Sequence, residues 1–261
     1  MNNTQSDPTY PSTSAALPGD ATPARDERPG ALRGGAILTL QTSQAQRLVK
    51  GRGRTAQKPA IIGLLGFATL LRPIWHGARA DDPYADWWLI NVHAALESAW
   101  DAFVAMECEV TDRLQNSQAI EVTPPSSIKP VVVALTFSNP YAFRGARLVA
   151  RYDALVRTAL SARYVGLLTW EESERVVSLG ARHVRKAFPR AVGYVFTGIT
   201  RADIAQGTAR AAQARERMGE LPEDVLSGTR RAPYAPSARV VAANTLQPSD
   251  QPASHASASR Q

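Results

Sequence analysis

Leu89, Val92, Leu96, Ala99, Phe103, Met106 and Val110 recur in strictly alternating steps of three and four. Only a helix places residues so spaced along one side. Asp81-Asp82-Pro83 supplies its start, with Asp82 as cap and Pro83 at the first helical position. Running from residue 84 to about 117, it would measure roughly 50 Å at about 1.5 Å per residue. So long an apolar seam must be covered, by other helices of this chain or by a long helix of a second copy. Trp87, Trp88 and Trp100 widen the apolar face, and His93 beside it reads as a packed core histidine.

Around that helix the pattern is mainly helical, with short strands. Residues 37–41 alternate as a strand, with Leu38 and Leu40 on one side and Thr39 and Gln41 on the other. Thr42 or Ser43 then caps a helix carrying Arg47 and Lys50. A second helix is expected over 60–78, apolar nearly all round and kinked or ended by Pro73. The clearest strand is 131–137, apolar on both faces at its start and so expected to be covered on both. Further helices are expected over 141–164, over 169–188 behind the capping box Thr169-Trp170-Glu171-Glu172, and over 200–218. A third short strand is expected at 193–199, and a turn of helix at 222–226. The fold class is therefore α+β, mainly helical. Leu38-Thr39-Leu40 before Arg47-Leu48-Val49 is echoed by Leu135-Thr136-Phe137 before Arg147-Leu148-Val149. The echo is either a duplicated strand–helix unit whose strands pair, or chance.

One folded domain is expected over residues 34–228: a basic strand–helix at 34–58, a helical core at 59–120, and a strand with helices at 128–228. Residues 1–33 and 229–261 are rich in Pro, Ser, Ala and other residues with little to bury, and are expected to be disordered. The N-terminal stretch lacks the basic and apolar regions of a secretory signal. The longest apolar run, 61–71, is about half the roughly 20 residues needed to span a bilayer. With one cysteine no internal disulfide can form. A cytoplasmic protein without a membrane partner is expected.

Charge is segregated along the chain. From Arg28 to Ala80 there are nine Lys or Arg and no acidic residue, whereas from Asp81 to Ser127 there are nine acidic residues and one Arg. The formal net charge of +7 favours an anionic partner. Arg47, Lys50, Arg52, Arg54 and Lys58 fall within twelve residues. Each could contact a phosphate, while Thr39 and Gln41 carry the hydroxyl and amide that read base edges. A plain edge strand beside a solvated turn is the competing reading. Enzymatic chemistry finds less support. His76, His93, His183 and His255 share no metal-ligand spacing, and there is no GxSxG elbow. Gly51-Arg52-Gly53-Arg54 lacks the length and the Lys-Ser/Thr ending of a phosphate loop. Cys108 lies between Glu107 and Glu109, a poor setting for a nucleophile. Asp81, Asp82 and Asp86 read as two capping residues and a first-turn carboxylate. No cofactor, metal or small-molecule substrate is expected.

The segments LTLQTSQAQRLVKGR, KPAIIGLLGFATLLRPIWHGARADDPYADWWL, FSNPYAFRGARLVARYDALVRTALSARYVGLL and YVFTGITRADIAQGTARAAQARERMGELPEDVLSG resemble proteins encoded on bacterial integrating conjugative elements. That family is similar to the AcaB-type transcriptional activators of conjugative plasmids. The resemblance implies a ribbon–helix–helix protein that binds double-stranded DNA as a homodimer and switches on conjugation genes. It implies that strand 37–41 is the ribbon, with Thr39 and Gln41 facing bases and Arg47 and Lys50 near phosphates. The chain is several times longer than a minimal ribbon–helix–helix unit, and has a second strong strand. Its ribbon forms either between chains or within one. The competing function is a non-enzymatic accessory or protein-interaction factor of the conjugation machinery, docking through the long seam helix and its acidic face.

Overall fold

The computed structural model describes residues 35–115 and 123–238. The seam helix organises them. It is α3, which spans Pro83–Gln115 after β1 (Ala36–Leu40), α1 (Ser43–Lys50) and α2 (Leu64–Arg79). Asp82 caps it as expected, its carboxylate accepting the Tyr84 N–H at 2.8 Å, with Pro83 following. Leu89, Val92, Leu96, Ala99, Phe103 and Val110 are all buried, and Met106 packs against the same core. What covers them is this chain itself: α2, then α4 (Pro140–Tyr164) and α5 (Trp170–Ala187). The seam is thus satisfied internally. Each large seam residue removed from water contributes about 1.5–3 kcal/mol.

α2 begins later than its apolar run suggests, because Ile61 pairs its backbone with Arg52 (N···O 2.8 Å in both directions). A Cβ on Gly63 would collide with the backbone of Gly51 and Val49, so two glycines permit this close approach. Gly51 also takes φ 68°, which ends α1. Pro73 lies on the exposed side of α2 without ending it, and Leu65 is exposed too, so the helix has a solvent face after all.

β1 pairs antiparallel with β2 (Val131–Leu135), with Leu38 opposite Val133 at the centre. The ribbon therefore forms within one chain. Leu38, Leu40 and Leu135 point into the core, while Ile37, Thr39, Val132 and Ala134 are exposed. β2 is shorter than the apolar run predicts, because residues 136–139 turn to cap α4 through Asn139. It is also covered on one face only: Val132 is 61% exposed. The third strand expected at 193–199 does not form. Gly193 (φ 96°) and Gly198 (φ 67°) interrupt that segment, and Tyr194 and Ile199 pack down instead.

The polar helix expected over 200–218 is two helices, α6 (Arg201–Ala205) and α7 (Ala209–Met218). Gly207 at φ 64° breaks it, and Thr200 and Thr208 cap the two pieces. After α8 (Glu223–Leu226) the chain stays packed. Residues 229–235, assigned above to an unfolded tail, bury Ala232 and bring Arg231 to Asp86. Asp86 is more than a first-turn carboxylate: it is 0% exposed and accepts from Arg201 (2.6 Å) and Arg231 (2.9 Å through each oxygen). Next to it, Asp82 accepts the Tyr194 hydroxyl at 2.7 Å. Burial, with Asp82 alongside, pushes the Tyr194 hydroxyl above the ordinary phenol range. Burial likewise raises Asp82, against the hydrogen bonds that lower it. This cluster pins the C-terminal segment to the start of α3. The expectations for residues 1–33, for 116–122 and for the chain beyond 238 lie outside the described residues.

Candidate nucleic-acid interface

The passage from β1 into α1 takes two residues and is fixed from across the fold. Thr42 is the N-cap, its hydroxyl oxygen accepting the Ala45 N–H at 3.2 Å. Asp153, on α4 and 4% exposed, accepts the Gln41 N–H (2.9 Å), the Thr42 N–H (2.8 Å) and the Thr42 hydroxyl (2.7 Å). A carboxylate with three donors at the start of a helix is well stabilised without a cation partner. It sets the direction in which α1 leaves the ribbon.

α1 buries Ala45, Leu48 and Val49 and leaves Ser43, Arg47 and Lys50 exposed, spaced four and three apart and so on one side. Arg47 and Lys50 lie in the last turn, where cations suit the helix dipole. The loop that follows is a small hairpin closed by the Arg52–Ile61 pairing and by a turn between Thr55 and Lys58 (N···O 3.0 Å). Arg52, Arg54 and Lys58 are exposed on it, and Arg52 donates to the Pro59 carbonyl at 3.0 Å. Among the described residues none of these five cations has a carboxylate partner. The acid-free stretch of sequence thus becomes one run of unpaired charge, helix end and hairpin together.

Thr39 stands on the exposed face of the ribbon, as the alternation predicts. Gln41 does not simply stand beside it. It lies past the end of β1, and its side-chain carbonyl accepts the Ser127 N–H at 2.8 Å. That bond ties the segment entering β2 to the end of β1, and leaves the amide N–H groups and one carbonyl lone pair of Gln41 for any other partner. Arg157 holds the same segment from α4, donating to the Pro125 (2.7 Å) and Pro124 (3.1 Å) carbonyls.

The other arginines of α4 are differently placed. Arg144 is ion-paired with Glu97 and donates to the Tyr234 hydroxyl at 3.0 Å. Arg151 is gripped by Glu107 at 2.8 and 3.0 Å through its Nε. Arg147 is exposed, 5.3 Å from the Trp100 ring, and without a carboxylate partner among the described residues. Sequence reasoning missed Asp153 and Ser127, because contacts across more than 80 residues leave no local signal. His93 is half-buried edge-on to Tyr141 and Tyr234, a core histidine as read. Among the described residues no group of His, Cys, Asp or Glu could hold a metal, and no helix is long and apolar enough to cross a membrane.

A family model described as "Transcriptional regulator AcaB" matches residues 28–239. Among curated proteins none matches the chain. The fold is similar to that in the crystal structure of selenomethionine-containing AcaB from uropathogenic E. coli, with a TM-score of 0.52. The match covers 76% of this chain and 98% of that one at 12% identity, which is a likeness of fold. With the family model spanning the whole described body, the chain belongs to the AcaB family of transcriptional regulators.

Proposed function

We propose that this chain regulates the transfer genes of an integrating conjugative element by binding double-stranded DNA in the cytoplasm, without catalysis. The exposed face of the ribbon would enter the major groove with Thr39 toward the bases. Arg47, Lys50, Arg52, Arg54 and Lys58 would lie along the phosphates. One observation carries this reading: five exposed cations, without carboxylate partners among the described residues, directly follow a ribbon whose outer face is open. Membership in a family of transcriptional regulators supports it. The accessory-factor reading rested on the long seam helix and its acidic face; the seam is buried under α2, α4 and α5, and on the acidic face Glu97 and Glu107 hold Arg144 and Arg151. The homodimer was implied by the family resemblance, with a shared ribbon and the seam as its candidate contacts; within this chain β1 pairs with β2 and the seam is covered by α2, α4 and α5.

The test is binding of the full chain to promoter duplexes of the element over a series of salt concentrations. Affinity should fall steeply as salt rises, since each phosphate contact contributes about 0.9 to the logarithmic slope. Arg52→Glu with Arg54→Glu should weaken binding and flatten that slope. No binding even at about 50 mM salt would overturn the proposal, and an unchanged double variant would move the site off this hairpin.

A further inference from the structure

The two strands of the ribbon lead into their helices in parallel ways. Thr42 caps α1 two residues after Leu40, and Asn139 caps α4 four residues after Leu135. Counted from the cap, Arg47 and Arg144 are both fifth, and Lys50 and Arg147 both eighth. The third, sixth and seventh positions are buried in both helices: Ala45, Leu48 and Val49 in one, Ala142, Gly145 and Ala146 in the other. This alignment sets Arg47 with Arg144, whereas the triplet echo in the sequence set it with Arg147. With the strands antiparallel about Leu38 and Val133, and with α1 packed on α4, one chain contains two related halves of a ribbon.

The halves differ in chemistry. Among the described residues Arg47 and Lys50 are exposed and have no carboxylate partner, and the hairpin adds Arg52, Arg54 and Lys58. On the other side α3 neutralises the matching surface, Glu97 holding Arg144 and Glu107 holding Arg151. Only Arg147, of the two matched cations, stays free of a carboxylate. The outward strand residues differ as well: Ile37 and Thr39 on β1, Val132 and Ala134 on β2. A hydroxyl can donate to or accept from a base edge. Aliphatic groups offer no hydrogen bond, and in the major groove suit the thymine methyl.

We propose that a single chain occupies its DNA site and that the site has no two-fold symmetry. This rests on the DNA-binding reading above and extends it. A symmetric dimer imposes two equal half-sites, because operator symmetry mirrors protein symmetry. A ribbon closed within one chain imposes no such rule, and here its halves ask for different things. The β1–α1 half grips phosphates and reads through Thr39. The β2–α4 half has one phosphate contact, Arg147; across the ribbon Thr39 lies opposite Val132 and Ile37 opposite Ala134, so one end carries the hydroxyl while the other is wholly aliphatic and meets thymine methyls.

The experiment is to select bound duplexes from a random pool with the full chain, then measure the mass of the complex with the selected duplex by sedimentation. The expected result is a motif without inverted repeat, thymine-rich toward one end, bound by one chain. Lys50→Ala and Arg147→Ala should each lower the salt slope by about one. Val132→Asn should change base preference at one end of the motif only. An inverted repeat carrying two chains would overturn this proposal while leaving DNA binding intact. An unchanged slope for Arg147→Ala would overturn the assignment of the second half. Failure to retain any duplex would remove the DNA-binding reading itself.

Discussion

Asp153→Asn is the substitution that most directly tests how the ribbon is joined to α1. The carboxylate presents one oxygen to the Gln41 N–H at 2.9 Å and the other to the Thr42 N–H and hydroxyl at 2.8 and 2.7 Å. An asparagine of the same shape has one oxygen and one NH2. If the oxygen serves Thr42, the NH2 faces the Gln41 N–H, and two donors oppose each other. An orphaned, part-buried amide costs about 1–3 kcal/mol, and the remaining bonds lose the strength that charge lends them. The total loss should be about 2–4 kcal/mol, because the three contacts share one group and do not add independently. For a domain of this size that lowers the melting temperature by roughly 5–10 °C. Urea unfolding monitored by the tryptophans gives the free energy, and DNA titration below the melting range gives the functional cost. Binding should weaken even where the variant is folded, since the direction of α1 relative to Thr39 is no longer fixed. A variant within about 0.5 kcal/mol of the parent, the usual range for an uninvolved surface change, would show that Asp153 does not hold this junction.

Two further outcomes test the rest of the fold. Asp86→Ala leaves the Arg201 and Arg231 guanidinium groups without their shared buried carboxylate, and should cost about 3–5 kcal/mol; a melting curve close to the parent's would mean that residues 229–235 are not pinned as described. On the acid side, the Thr169 backbone N–H, then Arg113 and the Thr169 hydroxyl, hold the Glu172 carboxyl down at about 2. The unfolded chain then binds the proton more readily, so this contribution is present above the ordinary value of 4.5 and is lost as pH falls from there toward about 2. Glu172→Gln should flatten the dependence of stability on pH across that window, and an unchanged slope would refute the assignment.

The helices were the legible part of the fold, for reasons visible in particular residues. The period of Leu89 through Val110, the Asp82-Pro83 start and the Thr169 capping box are local signals, and α3 and α5 form where those signals lie. Failures arose where a distant partner outweighed local preference. Val131 to Phe137 has the composition of a strand covered on both sides, yet nothing in it says that only one face meets the core. Ile61 belongs by periodicity to α2, but its backbone pairs with Arg52 because Gly51 and Gly63 let the two segments touch. Of the candidate site, the free charge on the hairpin and the outward face of Thr39 could be read from spacing. The fastening of Gln41 to Ser127 could not.

By itself, then, the sequence determined the helical class, the long apolar seam, the caps, and an acid-free run of cations after a short strand. Each of these depends on residues within a turn or two of one another. Only the tertiary structure decided that the seam closes inside the chain, that β1 finds β2 some 95 residues away (Leu38 opposite Val133), and that α3's glutamates silence one basic face and spare the other. Those outcomes depend on which surfaces meet. An apolar stripe or an arginine looks the same in sequence whether its partner is solvent, a neighbouring helix or a second molecule.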